Sequence, residues 1–152
     1  MPQAISSKDL ASSVKTTESK RALLLELEAF ALSVDTYLAG NTPLPENLYP
    51  VLLSIPQFRD AIMSKNVDRA WLDAVKKQLQ VLPEVKIDIA TEPSPELYLF
   101  AYNWVAEHVD ASSIVDLTKA DNLTGGIRLA YKGRYIDMSL DKLIKETLNE
   151  KV

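Results

Sequence analysis

The apolar pattern of this chain changes period at Leu82-Pro83-Glu84, and that change limits the fold more than any single residue does. Before it, leucines, valines and aromatics recur every three or four residues, the spacing of one face of a helix. Directly after it, Val85, Ile87 and Ile89 alternate with Lys86, Asp88 and Ala90, the spacing of a strand with one wet face. A helical stretch followed by strands predicts an α+β protein. The expected parts are an N-terminal antiparallel helical bundle over residues 1–82 and a small mixed α/β domain over residues 83–152.

In the first part the strongest helix is expected from Ser19. Leu23, Leu24, Leu27, Phe30, Ala31, Val34, Tyr37 and Leu38 step by threes and fours, Leu25 and Leu32 widen the apolar face, and Gly40 ends it. Residues 6–17 hold only Leu10, Ala11 and Val14 at that spacing and are compatible with a short helix or a frayed segment. Another short helix is expected from Pro45 through Leu48, Tyr49, Leu52 and Leu53, started or bent at Pro50. Pro56 opens the next, with Phe58, Ile62 and Met63, and Asn66 is the expected cap of a last one holding Val67, Ala70, Trp71, Ala74, Val75 and Leu79. Only by packing on one another can such stripes leave water, hence the bundle. Leu23, Leu27, Phe30 and Val34 are expected either to fill it or to line a groove for a partner's amphipathic helix.

In the second part, Ser94 and Pro95 mark a helix start after the first strand, and Leu97, Phe100, Ala101, Trp104, Val105 and His108 are expected on its buried side. Ile114 to Leu117 reads as a strand. Ile127, Leu129 and Tyr131 then alternate with Arg128, Ala130 and Lys132, Lys132-Gly133 offers a tight turn, and Tyr135-Ile136 resumes an extended run. Ser139 is the expected cap of a final helix carrying Leu140, Leu143, Ile144 and Leu148. The order is strand, helix, strand, strand, strand, helix.

Composition narrows the function. The chain has no cysteine, which excludes disulfides, thiolate zinc sites and thiol catalysis. Its net charge of −4 and the lack of any Lys/Arg run argue against a nucleic-acid partner. Residues 1–82 balance nine basic against nine acidic residues, whereas residues 83–152 hold eight against twelve, so the negative excess belongs to the second part. No apolar run approaches the roughly 20 residues of a membrane helix, and the N-terminus has no basic region ahead of an apolar core. A soluble cytoplasmic protein is therefore expected.

The Gly125-Gly126 pair opening one strand, with Ile136, Asp137 and Ser139 closing the next ahead of Leu140 and Leu143, resembles the C-terminal signature of the delta subunit of F-type ATP synthases. That family includes the mitochondrial oligomycin-sensitivity-conferring protein. Where the family has a glycine between Asp and Ser this chain has Met138, and Met does not adopt the positive φ open to glycine without strain. The resemblance covers residues 85–148 by order and spacing, and residues 19–82 by helical character and placement.

What the resemblance implies is a connector without catalytic, cofactor or metal residues. Its bundle would grip the N-terminal helix of an alpha subunit at the catalytic head, and its C-terminal part would hold the C-terminus of the b-subunit stalk. The head would then resist rotary torque during proton-driven ATP synthesis. Such a protein works at the cytoplasmic face of the bacterial inner membrane and reaches the membrane only through the complex. Partner contacts are expected from Leu23, Leu27, Phe30 and Val34 on the head side and from Ile144 and Leu148, with Leu140 and Leu143, on the stalk side. A general helical adaptor unrelated to the synthase accounts for the same lack of chemistry and stays open.

Each reactive-looking residue has a plainer structural reading. His108, the only histidine, is expected to sit at a helix C-terminus, where a cation is favoured, rather than to act as a base. Gly125-Gly126 runs from loop into strand, so it reads as a turn and not as a phosphate cradle, which runs from strand into helix. Asp137 and Ser139 read as a capping turn between strand and helix rather than as acid chemistry.

Overall fold

In the computed structural model, residues 4–40 and 43–139 are described. The chain is α+β and divides into two compact units, Met1–Leu82 and Pro83–Val152.

The N-terminal unit is helical. Ser6 caps α1 (Ser7–Val14) by accepting the Asp9 N–H, and Thr16 caps α2 (Thr17–Leu38) by accepting the Ser19 N–H. The long helix therefore starts two residues before the expected Ser19, because the cap and not the first leucine fixes the start. Leu23, Leu27, Phe30 and Val34 form its buried face. Leu25 and Leu32 do not widen that face: they stand 63% and 87% exposed on the opposite side of the helix. Gly40, at φ +80°, ends the run as expected.

Pro45 does not start an α-helix. A 3-10 turn spans Glu46–Leu48, and the separate helix α3 (Pro50–Ser54) begins at Pro50, whose ring fixes φ and needs no N–H partner in a first turn. Helix α4 (Pro56–Met63) begins at Pro56. The cap of α5 (Arg69–Gln80) is Asp68, which accepts the Trp71 N–H at 2.7 Å, and not Asn66. Asn66 is drawn back to the preceding helix, its N–H donating to the Ala61 carbonyl at 2.8 Å. On α5 the buried residues are Trp71, Leu72, Val75 and Leu79, while Ala70 and Ala74 face outward.

Helix α2 packs on α1, α3 and α5. Phe30 lies edge-on to Tyr37 and Tyr49, with ring centroids 6.1 and 5.6 Å away, and Phe58 meets Trp71 in the same manner at 5.6 Å. Burying side chains of this size contributes roughly 1.5–3 kcal/mol each and is the main stabilising effect. Polar ties pin the packing. The Tyr37 hydroxyl donates to the Ile62 carbonyl at 2.9 Å, and the Gln78 amide donates to the Ile5 carbonyl at 2.8 Å.

The C-terminal unit is a four-stranded mixed sheet with one described helix. Strands β1 (Glu84–Ile89), β2 (Ile114–Lys119), β3 (Gly126–Tyr131) and β4 (Arg134–Ser139) lie in the order β2-β1-β3-β4. β1 and β2 are parallel and joined through α6 (Pro95–His108), as a parallel pair requires a crossover. β3 pairs antiparallel with β1, and β4 antiparallel with β3. Val85, Ile87 and Ile89 point into one core with Ala101, Tyr102 and Val105 of α6. The expected helix after Ser139 lies outside the described residues.

The buried side of α6 differs from its sequence reading. Ala101, Tyr102 and Val105 are buried and Leu97, Tyr98 and Trp104 partly so, whereas Phe100 is 68% exposed and His108 is exposed. The helix is apolar nearly all round, so periodicity alone does not select which side meets the sheet.

Candidate functional site

Of the signature residues, Gly126, Ile136, Asp137 and Ser139 lie on the β3–β4 hairpin, Gly125 precedes it, and Leu140 and Leu143 lie outside the described residues. Lys132 and Gly133, at φ +46° and +78°, form the hairpin's two-residue turn, both left-handed as a type I′ connection demands. Gly126 opens β3 at φ +76° opposite Ser139, a conformation that favours glycine, and Gly125 precedes it half-buried in the loop.

Asp137 is not in a capping turn. It is a β4 residue opposite Arg128, and Arg128 in turn stands opposite Asp88 of β1. The Arg128 guanidinium reaches Asp88 at 3.8 Å and donates to the Asn122 side chain at 2.8 Å. A basic residue between two acids across three strands favours this register, since opposite charges facing across a sheet attract. Met138 is likewise a strand residue, opposite Ile127, so the extended backbone there asks for no positive φ. Ile136 stands opposite Leu129. Ser139 is the last residue of β4, and its expected capping role, with Leu140, Leu143, Ile144 and Leu148, lies outside the described residues.

A network ties the end of α6 to β3. The Asp110 carboxylate accepts the Ser112 N–H at 2.9 Å, the Ser112 hydroxyl at 2.8 Å and the Tyr131 hydroxyl at 3.0 Å. Its pKa is held below the usual carboxylate value, first by the Ser112 N–H and then by the Ser112 hydroxyl, with Tyr131 and Lys132 adding to this. Burial raises the pKa of the Tyr102 phenol. His108 ends α6 with its ring stacked on Trp104 at 4.8 Å and its Nδ1 donating to the Trp104 carbonyl at 2.9 Å. This is a helix-terminus arrangement. Among the described residues no group of three or more His, Cys, Asp or Glu is placed to hold a metal ion.

The described residues of each unit form a concavity. In the C-terminal unit, Ile89, Leu97, Phe100, Trp104, Ile127 and Leu129 wall an apolar groove of about 140 Å³ between α6 and the sheet. In the N-terminal unit, a larger hollow of about 430 Å³ lies between the start of α1 and the α4–α5 region, with Asp9, Gln57, Asp60 and Asn66 beside Ile5 and Trp71. The sequence pattern points to neither, because each is assembled from residues far apart in the chain.

Leu23, Leu27, Phe30 and Val34 come together, and all four are buried inside their unit. They fill the interior of that unit.

Among the described residues no helix is long and apolar enough to cross a membrane. A scan of the chain against protein-family models finds no match, and a search of curated proteins finds none.

Proposed function

We propose that this chain is a non-catalytic connector of the F-type ATP synthase delta type. It links the N-termini of alpha subunits at the catalytic head to the b-subunit stalk, so that the head withstands rotary torque during proton-driven synthesis. In this reading residues 1–82 are an antiparallel helical bundle that grips the alpha N-terminal helix. Residues 83–152 are a small α/β domain that holds the C-terminal end of the b stalk, with Leu140, Leu143, Ile144 and Leu148 on a last helix. The protein then works at the cytoplasmic face of the bacterial inner membrane, bound to it only through the complex.

The observation that supports the reading is the hairpin formed by β3 and β4, on which four of the signature residues lie. A left-handed Gly126 opens β3, and Ile136, Asp137 and Ser139 close β4, in a unit whose described order is strand, helix, strand, hairpin. A tether of this kind needs affinity without chemistry. The apolar groove beside α6 offers surface for a helix, and the acidic balance of residues 83–152 suits a basic one.

Affinity purification of the tagged chain from its native source tests the proposal. Synthase alpha and b subunits in the eluate are the expected result. Their absence, under conditions that recover other partners, points instead to a helical adaptor outside the synthase.

A further inference from the structure

The outer face of α2 has a second apolar pattern that neither the core nor the tether reading uses. Leu25 and Leu32 are exposed there, and Ala22, Ala29 and Thr36 complete the row, alternating steps of three and four along the helix. Such steps place small and large residues in the two seam positions of a coiled-coil repeat, alanines in one and leucines in the other. The buried stripe of Leu23, Leu27, Phe30 and Val34 lies on the opposite side, so among the described residues this seam lies outside the core, with Ala22 half-buried and its other four residues exposed. One flank of the seam carries Arg21, Glu28 and Asp35, seven residues apart.

We propose that this seam binds a second copy of the chain, α2 against α2 in antiparallel, two-fold symmetry. The register follows from size. With Leu25 set against the partner's Ala29 and Leu32 against the partner's Ala22, each large side chain meets a small one, as close helix packing requires. The same register brings Arg21 opposite the partner's Asp35, and by symmetry Asp35 opposite the partner's Arg21. Steric fit and charge fit thus select one alignment, and that coincidence favours a second copy over an unrelated helix. At the two-fold axis Glu28 approaches its own copy, and its ion pair with Lys76 at 2.9 Å offsets the repulsion. Asp35 already holds Arg69 at 2.8 Å on the exposed surface, an arrangement that leaves its outer lone pairs open to a further cation. A contact of one helix on another is small for a specific interface, which points to a dimer of micromolar affinity.

Sedimentation equilibrium of the full chain, from low micromolar to near millimolar concentration, reads the result directly. A reversible dimer is expected. Leu32→Lys should weaken it by more than about tenfold while leaving the circular dichroism spectrum unchanged, since the side chain is already in water. Arg21→Asp should weaken it about three- to tenfold, and Arg21→Asp combined with Asp35→Arg should restore it. A chain that stays monomeric across the range overturns the inference, as does a dimer indifferent to Leu32→Lys or a charge reversal that fails to restore association. The measurement involves no synthase component, so its outcome and that of the purification above are independent.

Discussion

Phe30 and Phe100 are both aromatic residues within helices, and the structure treats them oppositely. Phe30 is fully buried between Tyr37 and Tyr49, whereas Phe100 is 68% exposed at the rim of the groove beside α6. The contrast extends to the units that hold them. In the N-terminal unit several short helices surround α2, and its core side chains leave water entirely. In the C-terminal unit one described helix lies on a four-stranded sheet and packs chiefly on β2, so among the described residues the apolar face by β3 is covered only in part: Ile127 and Tyr131 are half-buried. A helix is about 10 Å wide and neighbouring strands lie about 4.8 Å apart, so one helix covers roughly two strands. The difference teaches that the N-terminal unit closes its core around α2 and shows its apolar surplus on the outer face of that helix, at Leu25 and Leu32, whereas the C-terminal unit shows it at the rim of its own core, at Phe100.

Truncating the two phenylalanines would break that contrast if it were wrong. Phe30→Ala should destabilise the N-terminal unit by about 3–5 kcal/mol, since it leaves a cavity among aromatic neighbours. Phe100→Ala should change the C-terminal unit by less than about 0.5 kcal/mol, as expected of an exposed position. Each unit has one of the two tryptophans, Trp71 and Trp104. Urea titrations followed by fluorescence in Trp104→Phe and Trp71→Phe backgrounds therefore report on the two units separately. Equal losses in both would erase the distinction between closed and open cores.

A smaller loss is expected at Glu26. Its carboxylate, on α2, accepts the N–H groups of Val51 at 3.0 and 3.2 Å and of Leu52 at 3.0 Å. Helix α3 starts without a side-chain cap of its own, so this long-range acid serves as one. Glu26→Ala should reduce stability by about 1–2 kcal/mol in the same urea assay, with the Trp71 signal responding and the Trp104 signal not. A neutral outcome would mean that water satisfies those N–H groups equally well.

Much of the fold is legible in the sequence because it rests on local rules. The cap at Ser94 and the starts at Pro50 and Pro56 follow from hydroxyl and ring geometry, and the period-two run from Val85 becomes β1. Misreadings arise where distant residues decide. Asn66 resembles a cap, yet the end of α4 claims its N–H, and Phe100 reads as buried because α6 is apolar on several sides. Asp137 reads as part of a turn because its role depends on Arg128, a neighbour only after strand pairing. Glu26 gives no signal at all, since a cap supplied from another helix has no spacing to read. The candidate surfaces are the least legible part, because exposure on a helix apolar all round is settled by packing and not by period.

The hairpin sharpens the comparison at the scale of single backbone angles. Gly133 has open space around the position of a Cβ, so Gly133→Ala tests only its φ of +78° and should cost about 1 kcal/mol in the C-terminal unit. Lys132 at φ +46° already carries such strain, and Lys132→Asn should return about 0.5 kcal/mol, because Asn tolerates the left-handed region better. Opposite signs for the two variants, read through Trp104, are the expected outcome.

One effect, confined to the C-terminal unit, varies with pH: the acid dependence set by Asp110. Its carboxylate joins the end of α6 to β3 through Ser112 and Tyr131, and those donors favour the ionised form, lowering the folded pKa. An unfolded Asp titrates near pH 4, so between that value and the lower folded one the unfolded chain binds more protons. The contribution is therefore present in full above about pH 4 and is lost as the pH falls through the folded pKa. Asp110→Asn removes this linkage. At neutral pH it should lower stability by about 1 kcal/mol, the value of a few partly exposed hydrogen bonds, and the gap to the unmodified chain should narrow as the pH falls below about 4. Because Asp110 and its donors all belong to the C-terminal unit, the Trp71 transition should follow the same pH course in both proteins. A gap that does not narrow below about pH 4 would assign the loss to packing rather than to charge.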